Sequence, residues 1–180
     1  MIFTETTLPG AVVIEPERSA DERGFFARTF CAREFTAHGL DARVAQCNIS
    51  FNRAKGTLRG LHFQRPPDGE AKLVRCTAGR VYDVIVDLRA DSPAFCRYLG
   101  IELSARNRTM LYVPQGVAHG FQTLEDESEV FYQMSAPYEG DAAAGVRWND
   151  AAFAIAWPLA VSVISARDRS YPDFAGREER

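Results

Sequence analysis

The stretch Val81-Tyr82-Asp83-Val84-Ile85-Val86-Asp87-Leu88 decides the fold. Successive side chains of an extended chain point to opposite sides, so Tyr82, Val84, Val86 and Leu88 share one face and Asp83 and Asp87 the other. This predicts a β-strand with one apolar face and one wet or polar-lined face. Working outward, Gln46-Cys47-Asn48-Ile49-Ser50-Phe51-Asn52 alternates in the same way. Gln46, Asn48, Ser50 and Asn52 fall together, a row of amides and hydroxyls suited to lining a polar cavity. Further strands are expected at 10–15, 25–30, 58–64, 72–77, 98–104, 110–113 and 129–134, with turns such as Ala78-Gly79-Arg80 between them. Only 32–38 reads as a helix. Many short strands separated by turn residues predict an all-β sandwich or small barrel of jelly-roll type. After Ala136 the pattern loosens into Pro137-Tyr138-Glu139-Gly140-Asp141 and Trp148-Asn149-Asp150, an irregular carboxy-terminal region with some helix or turn packed on the barrel. There is no internal repeat and no linker, and 180 residues fit one domain spanning 1–180.

Composition narrows the function. With 21 Lys plus Arg against 24 Asp plus Glu, the net charge of -3 offers no excess to neutralise a nucleic-acid backbone. An anionic small molecule needs only a local cluster of arginines. The four cysteines, Cys31, Cys47, Cys76 and Cys96, form no C-x-x-C pair and read as free thiols of a reducing compartment. The amino terminus lacks the basic and apolar regions of a signal peptide, and the apolar stretch 153–164 is broken by Pro158 and too short for a membrane span. A cytoplasmic protein is expected.

The chemistry-bearing residues concentrate in a few segments. Gly56-Thr57-Leu58-Arg59-Gly60-Leu61-His62-Phe63-Gln64 and Ala71-Lys72-Leu73-Val74-Arg75 place one of three histidines beside an arginine and a lysine. A titratable imidazole near fixed positive charge suits proton abstraction next to a carbonyl, although a core histidine between surface cations has the same sequence signature. In a regular strand Arg59 and His62 point to opposite faces, so if both line one pocket the strand must twist or bulge near Gly60. His119 falls between glycines and is expected in a turn. Tyr132 on a strand reads equally as packing, and Asp168, just after Ser165, as a helix cap. A metal-binding barrel of the cupin kind would carry two histidines one residue apart, but His62-Phe63-Gln64 has a glutamine, a poor transition-metal ligand, in the second place. No G-x-G-x-x-G or Walker pattern occurs. Neither a metal nor another cofactor is expected.

Taken together, these segments resemble the deoxythymidine-diphosphate-4-dehydrorhamnose 3,5-epimerase family. The resemblance runs from Asp21-Glu22-Arg23-Gly24-Phe25-Phe26 through Gln46 to Ser50, Leu58 to Gln64, Lys72-Leu73-Val74 and Asp83 to Arg89, to Pro114 through Phe121 and Trp148-Asn149-Asp150. It implies a metal-free cupin jelly roll, usually a homodimer in which an amino-terminal strand crosses to the partner, acting on a nucleotide-linked 4-keto-6-deoxy sugar. By resemblance, His62 is the base, Asp168 orients its imidazole, Lys72 stabilises the enolate oxygen and Tyr132 returns a proton from the other face. Arg23, Arg59 and Arg167 match positions around the diphosphate, His119, Gln46 and Asn48 match polar contacts, and Tyr138 matches an aromatic that stacks on the base. Where many members carry glutamates, this chain has Arg28 and Ala143, which implies an altered pocket around the nucleoside or sugar. A cytidine-linked substrate, inversion of only one of C3 and C5, a sugar-nucleotide 3,4-ketoisomerase, and a catalytically silent sugar-nucleotide-binding cupin stay open as alternatives.

Overall fold

The computed structural model describes residues 1–176. The elements in chain order are β1 (Ile2–Glu5), β2 (Val12–Glu15), β3 (Arg18–Asp21), β4 (Gly24–Ala27), α1 (Ala32–Ala37), β5 (Gln46–Asn52), β6 (Thr57–Gln64), β7 (Lys72–Ala78) and β8 (Arg80–Asp87). There follow β9 (Tyr98–Ser104), β10 (Met110–Val113), β11 (Val117–Thr123), β12 (Ser128–Met134), β13 (Ala143–Gly145), β14 (Val163–Ile164) and α2 (Ala166–Arg169). Two antiparallel sheets result, one in the order β1-β2-β10-β7-β12-β5 and the other β13-β6-β11-β8-β9, with β14 pairing parallel to β6. This is the expected jelly roll.

Three apolar layers hold it. Between the sheets, Val74, Cys76, Leu111 and Val130 of the first meet Val81, Ile85, Leu103 and Phe121 of the second. On the outer side of the first sheet Phe35 of α1 packs on Ile14, Leu73 and Met110. On the outer side of the second, the carboxy-terminal region lays Val146, Phe153 and Trp157 over Leu61, Val84 and Val86. Each fully buried Val, Leu, Ile or Phe contributes about 1.5–3 kcal/mol, and the second sheet collects that on both faces.

The face of β8 carrying Asp83 and Asp87 is therefore not wet. Both aspartates are fully buried in the interior beside Val81 and Ile85. Each has a partner: Asp87 accepts from Arg89 Nη2 and Ser92 Oγ, both at 2.6 Å, and Asp83 Oδ1 lies 2.9 Å from His119 Nε2. The strand expected at 25–30 stops at Ala27 and belongs to a separate two-stranded ribbon with β3 that joins neither sheet and touches the β9–β10 connection, where Arg18 donates to the Asn107 carbonyl. Its Phe25 and Phe26 are exposed, Phe26 to 77%. His119 lies on strand β11 and not in a turn: the glycine at 120, which suggested a turn, marks a close strand approach instead. The sequence pattern also passed over β1, β3, β13 and β14, which are short or polar.

Candidate active site

A cavity of about 620 Å³ opens between the two sheets. The first sheet contributes Gln46, Asn48 and Ser50 from β5, Lys72 from β7 and Tyr132 from β12. The second contributes Arg59 and His62 from β6 and His119 from β11, while Tyr138, Arg167 and Asp168 come from the carboxy-terminal region. Three of the four polar residues of the β5 row thus line the cavity, the fourth, Asn52, is buried behind it, and Cys47, Ile49 and Phe51 turn outward.

Arg59 and His62 share the cavity because β6 is irregular between them. In register with β11, His62 faces His119 and Arg59 faces Phe121, so Gly60 and Leu61 together oppose Gly120. One extra residue on β6 changes the parity of the alternation, which is the bulge the sequence requires. Glycine is needed on both strands there. Gly60 has φ +109°, and a Cβ on it would lie 2.7 Å from Gly120 Cα and from the His119 carbonyl oxygen. A Cβ on Gly120 would lie 2.5 Å from the Arg59 carbonyl oxygen.

The bulge also ties His62 to the carboxy-terminal region. Asp168 Oδ2 accepts the Gly60 N–H at 3.1 Å, and Oδ1 lies 2.6 Å from His62 Nε2. The Asp168 side chain is 6% exposed and that of His62 43%. Burial pushes the Asp168 carboxyl up, but hydrogen bonds from His62, the Gly60 N–H and Ser165 together bring it below the ordinary carboxylate value. An ionised Asp168 keeps the imidazole proton on Nε2 and leaves the Nδ1 lone pair free. The capping role falls to Ser165, whose Oγ accepts the Asp168 N–H at 3.0 Å and so fixes α2 with Asp168 aimed at His62.

Lys72 is 7% exposed, pairs with Glu70 Oε1 at 2.8 Å and donates to the His62 carbonyl at 3.1 Å. Tyr132 sits across the barrel from β6, and burial raises its phenol against a smaller downward pull from Arg59, which keeps it a proton donor. Arg59 is aimed by Asn52 Oδ1, which accepts from its Nε at 2.7 Å. Arg167 is held above its usual value by hydrogen bonds to Tyr138 and then Tyr171. Gln46 Oε1 accepts the Tyr138 N–H at 2.8 Å, while Gln64 donates to the Pro137 carbonyl and accepts the Glu139 N–H. The glutamine standing where a metal-binding cupin has its second histidine thus anchors the loop that carries Tyr138.

Two expected binding residues are not brought in. Arg23 is 83% exposed on the ribbon and salt-bridged to Asp21, and Arg28 pairs with Glu34 at 2.8 Å. Three contributors escaped the sequence reading: Glu70, Asp83 and Ser165. Glu70 stands two residues before Lys72, the one signal that could have placed both on a common face. No group of three or more His, Cys, Asp or Glu side chains that could hold a metal ion occurs among the described residues.

The family model for dTDP-4-dehydrorhamnose 3,5-epimerase matches residues 5–176. The chain belongs to that family. A dTDP-4-dehydrorhamnose 3,5-epimerase of Methanothermobacter thermautotrophicus is 43% identical over 173 residues, covering 94% of this chain and 92% of the relative. The crystal structure of the Bacillus anthracis dTDP-4-dehydrorhamnose 3,5-epimerase, with TDP and PPi bound, superposes with a TM-score of 0.93 at 40% identity, covering 96% of this chain and 99% of that one. A 3'-monoepimerase from Streptomyces bikiniensis in complex with dTDP-quinovose is also similar, with a TM-score of 0.86 at 33% identity, covering 93% and 85%. The dTDP-4-dehydrorhamnose 3,5-epimerase family thus accounts for the barrel and nearly the whole length of the chain.

Proposed function

We propose that this chain inverts C3 and/or C5 of a 4-keto-6-deoxy sugar linked to a nucleoside diphosphate. The observation that carries the reading is the 2.6 Å contact between His62 and buried Asp168 in a cavity shared with Lys72 and Tyr132. Both C3–H and C5–H lie next to the C4 ketone, so losing either proton leaves an enolate with its charge on the ketone oxygen. His62 Nδ1 takes the proton, and Asp168 stabilises the imidazolium that forms. The Lys72 ammonium meets the enolate oxygen. Tyr132 delivers its phenolic proton to the opposite face of the carbon, and exchange with solvent restores phenol and imidazole.

Arg59 and Arg167 bind the diphosphate, the base stacks on Tyr138, and His119, Gln46 and Asn48 supply polar contacts. Arg23 and Arg28 take part only in a homodimer. The exposed ribbon with Phe25 and Phe26, and the outward Ile49 and Phe51 of edge strand β5, support such a pairing with a second copy. Ala143 lines the cavity opposite Gln64 with no polar side chain to offer, so the pocket favours a substrate less dependent on a carboxylate there. The whole chain is read as one domain, because both sheets share one core. Its free cysteines suit the cytoplasm, and among the described residues no helix is long and apolar enough to cross a membrane.

The test is incubation in deuterated water with thymidine- and cytidine-linked 4-keto-6-deoxyglucose in turn, followed by NMR. Deuterium at C3 and/or C5 with inversion is expected, and none with His62→Asn. Migration of the carbonyl would make the chain a ketoisomerase, and binding without deuterium uptake a silent sugar-nucleotide module.

A further inference from the structure

Glu70 borders the cavity, yet the reaction above gives it no part. Its side chain is 3% exposed and both oxygens are engaged: Oε1 with Lys72 Nζ at 2.8 Å and Oε2 with the Gln64 N–H at 3.0 Å. Among the described residues it is the only carboxylate within ion-pair distance of Lys72. Lys72 in turn donates to the carbonyl of His62 at 3.1 Å. The ammonium is thus suspended from β6 at two points, directly at His62 and through Glu70 at Gln64.

An ammonium has three N–H donors on a flexible stem. Two are committed to Glu70 and to His62, and the third is left for the cavity that Lys72 lines. Of the 21 lysines and arginines in the chain, only Lys55 and Lys72 are lysines. A guanidinium would bring a broad planar fork, whereas the compact ammonium fits between a carboxylate, a carbonyl and a developing enolate oxygen.

We propose that Glu70 is the positioning residue of Lys72: it fixes the ammonium relative to His62 so that its remaining donor meets the enolate oxygen as the base removes the proton. This rests on the reading of Lys72 as the group that stabilises the enolate. Electrostatic donors act in catalysis when they are already in place, so loss of the tether costs turnover and not substrate binding.

Glu70→Gln, Lys72→Met and the double variant, each checked for folding by circular dichroism, test it through kcat, KM and the rate of C3 and C5 deuterium exchange. Glu70→Gln is expected to lower kcat roughly 10- to 100-fold per folded molecule, with KM within about threefold because the diphosphate contacts are untouched. Because Glu70 acts through Lys72, the double variant is expected to be no slower than Lys72→Met. A Glu70→Gln kcat within twofold of the native value, a rise in KM matching the fall in kcat, or additive losses in the double variant would overturn the proposal. Native turnover in Lys72→Met would instead strike the Lys72 reading itself. Should Glu70→Gln not fold, Glu70→Asp keeps the charge one methylene short and is expected to lower kcat at unchanged KM; native kcat there also overturns it.

Discussion

Asp168→Asn replaces one carboxylate oxygen by an amide nitrogen, and the surroundings leave the amide no good orientation. With its oxygen toward the Gly60 N–H, its NH2 faces His62 Nε2, which must then accept; the imidazole proton moves to Nδ1 and the lone pair facing the sugar is lost. With its oxygen toward His62, the NH2 and the Gly60 N–H oppose each other, and that buried N–H is orphaned at about 1–3 kcal/mol. The imidazolium also loses its anion. At roughly 4 Å between charge centres and an effective dielectric near 20 this is about 4 kcal/mol, or about 2 kcal/mol after allowing for solvent around an imidazole that is 43% exposed. The two terms total about 3–5 kcal/mol, so kcat is expected to fall by about two to four orders of magnitude. KM should change little, since Asp168 does not reach the diphosphate, and Ser165 still caps α2. The assay is deuterium uptake at C3 and C5 followed by NMR. Uptake within tenfold of the native rate would refute the role of Asp168.

The close approach at the bulge predicts that Gly60→Ala, strained at φ +109° and overlapping fixed backbone atoms, loses about 2–5 kcal/mol of stability, read as a lower urea midpoint. Tyr132→Phe should still exchange C3–H and C5–H through His62, but without inversion, so NMR is expected to find deuterium in the starting epimer. The Asp168 carboxyl is below its ordinary value of 3.8 in the folded chain, so the unfolded chain binds more protons in that region. Its contribution to stability is full above about pH 4 and is lost as pH falls through the folded value, and the acid-unfolding curve of Asp168→Asn should be correspondingly flatter below pH 4. Phe26→Asp places a charge on the exposed ribbon; if the ribbon docks on a second copy, size-exclusion chromatography is expected to show a shift to monomer together with weaker substrate binding.

Local alternation was enough to read most of the fold. The strand β5 falls where its period of two put it, since it buries alternate side chains, and β9 and β10 form at the expected bounds although β10 is buried on both faces. What stayed hidden was set by partners distant in sequence. Asp83 looked solvent-facing because an aspartate on a strand usually is, and nothing in its own segment announces the buried histidine 36 residues away. His119 was misplaced in a turn because Gly120 serves a strand contact, which only the facing Gly60 explains. The cavity residues on β5, β6, β7, β12 and α2 were legible through motif resemblance, and the chain brings them together. Arg23 matched the family motif and Arg28 stands where many members carry a glutamate, but Arg23 on the exposed ribbon pairs with Asp21 and Arg28 just beyond it with Glu34, so neither lines the cavity.

The irregularity at Gly60 makes β6 a strand of two phases, with Arg59 written in one and His62 in the other. A one-residue deletion that restored uniform alternation would keep every functional residue type and yet turn one half of the site out of the barrel. Between Arg59 and His62, chain length is therefore as constrained as side-chain identity. Transplanting this site onto another jelly roll would require moving residues 59–62 together with the facing 119–121, since the functional side chains alone do not carry the phase change that lets them meet.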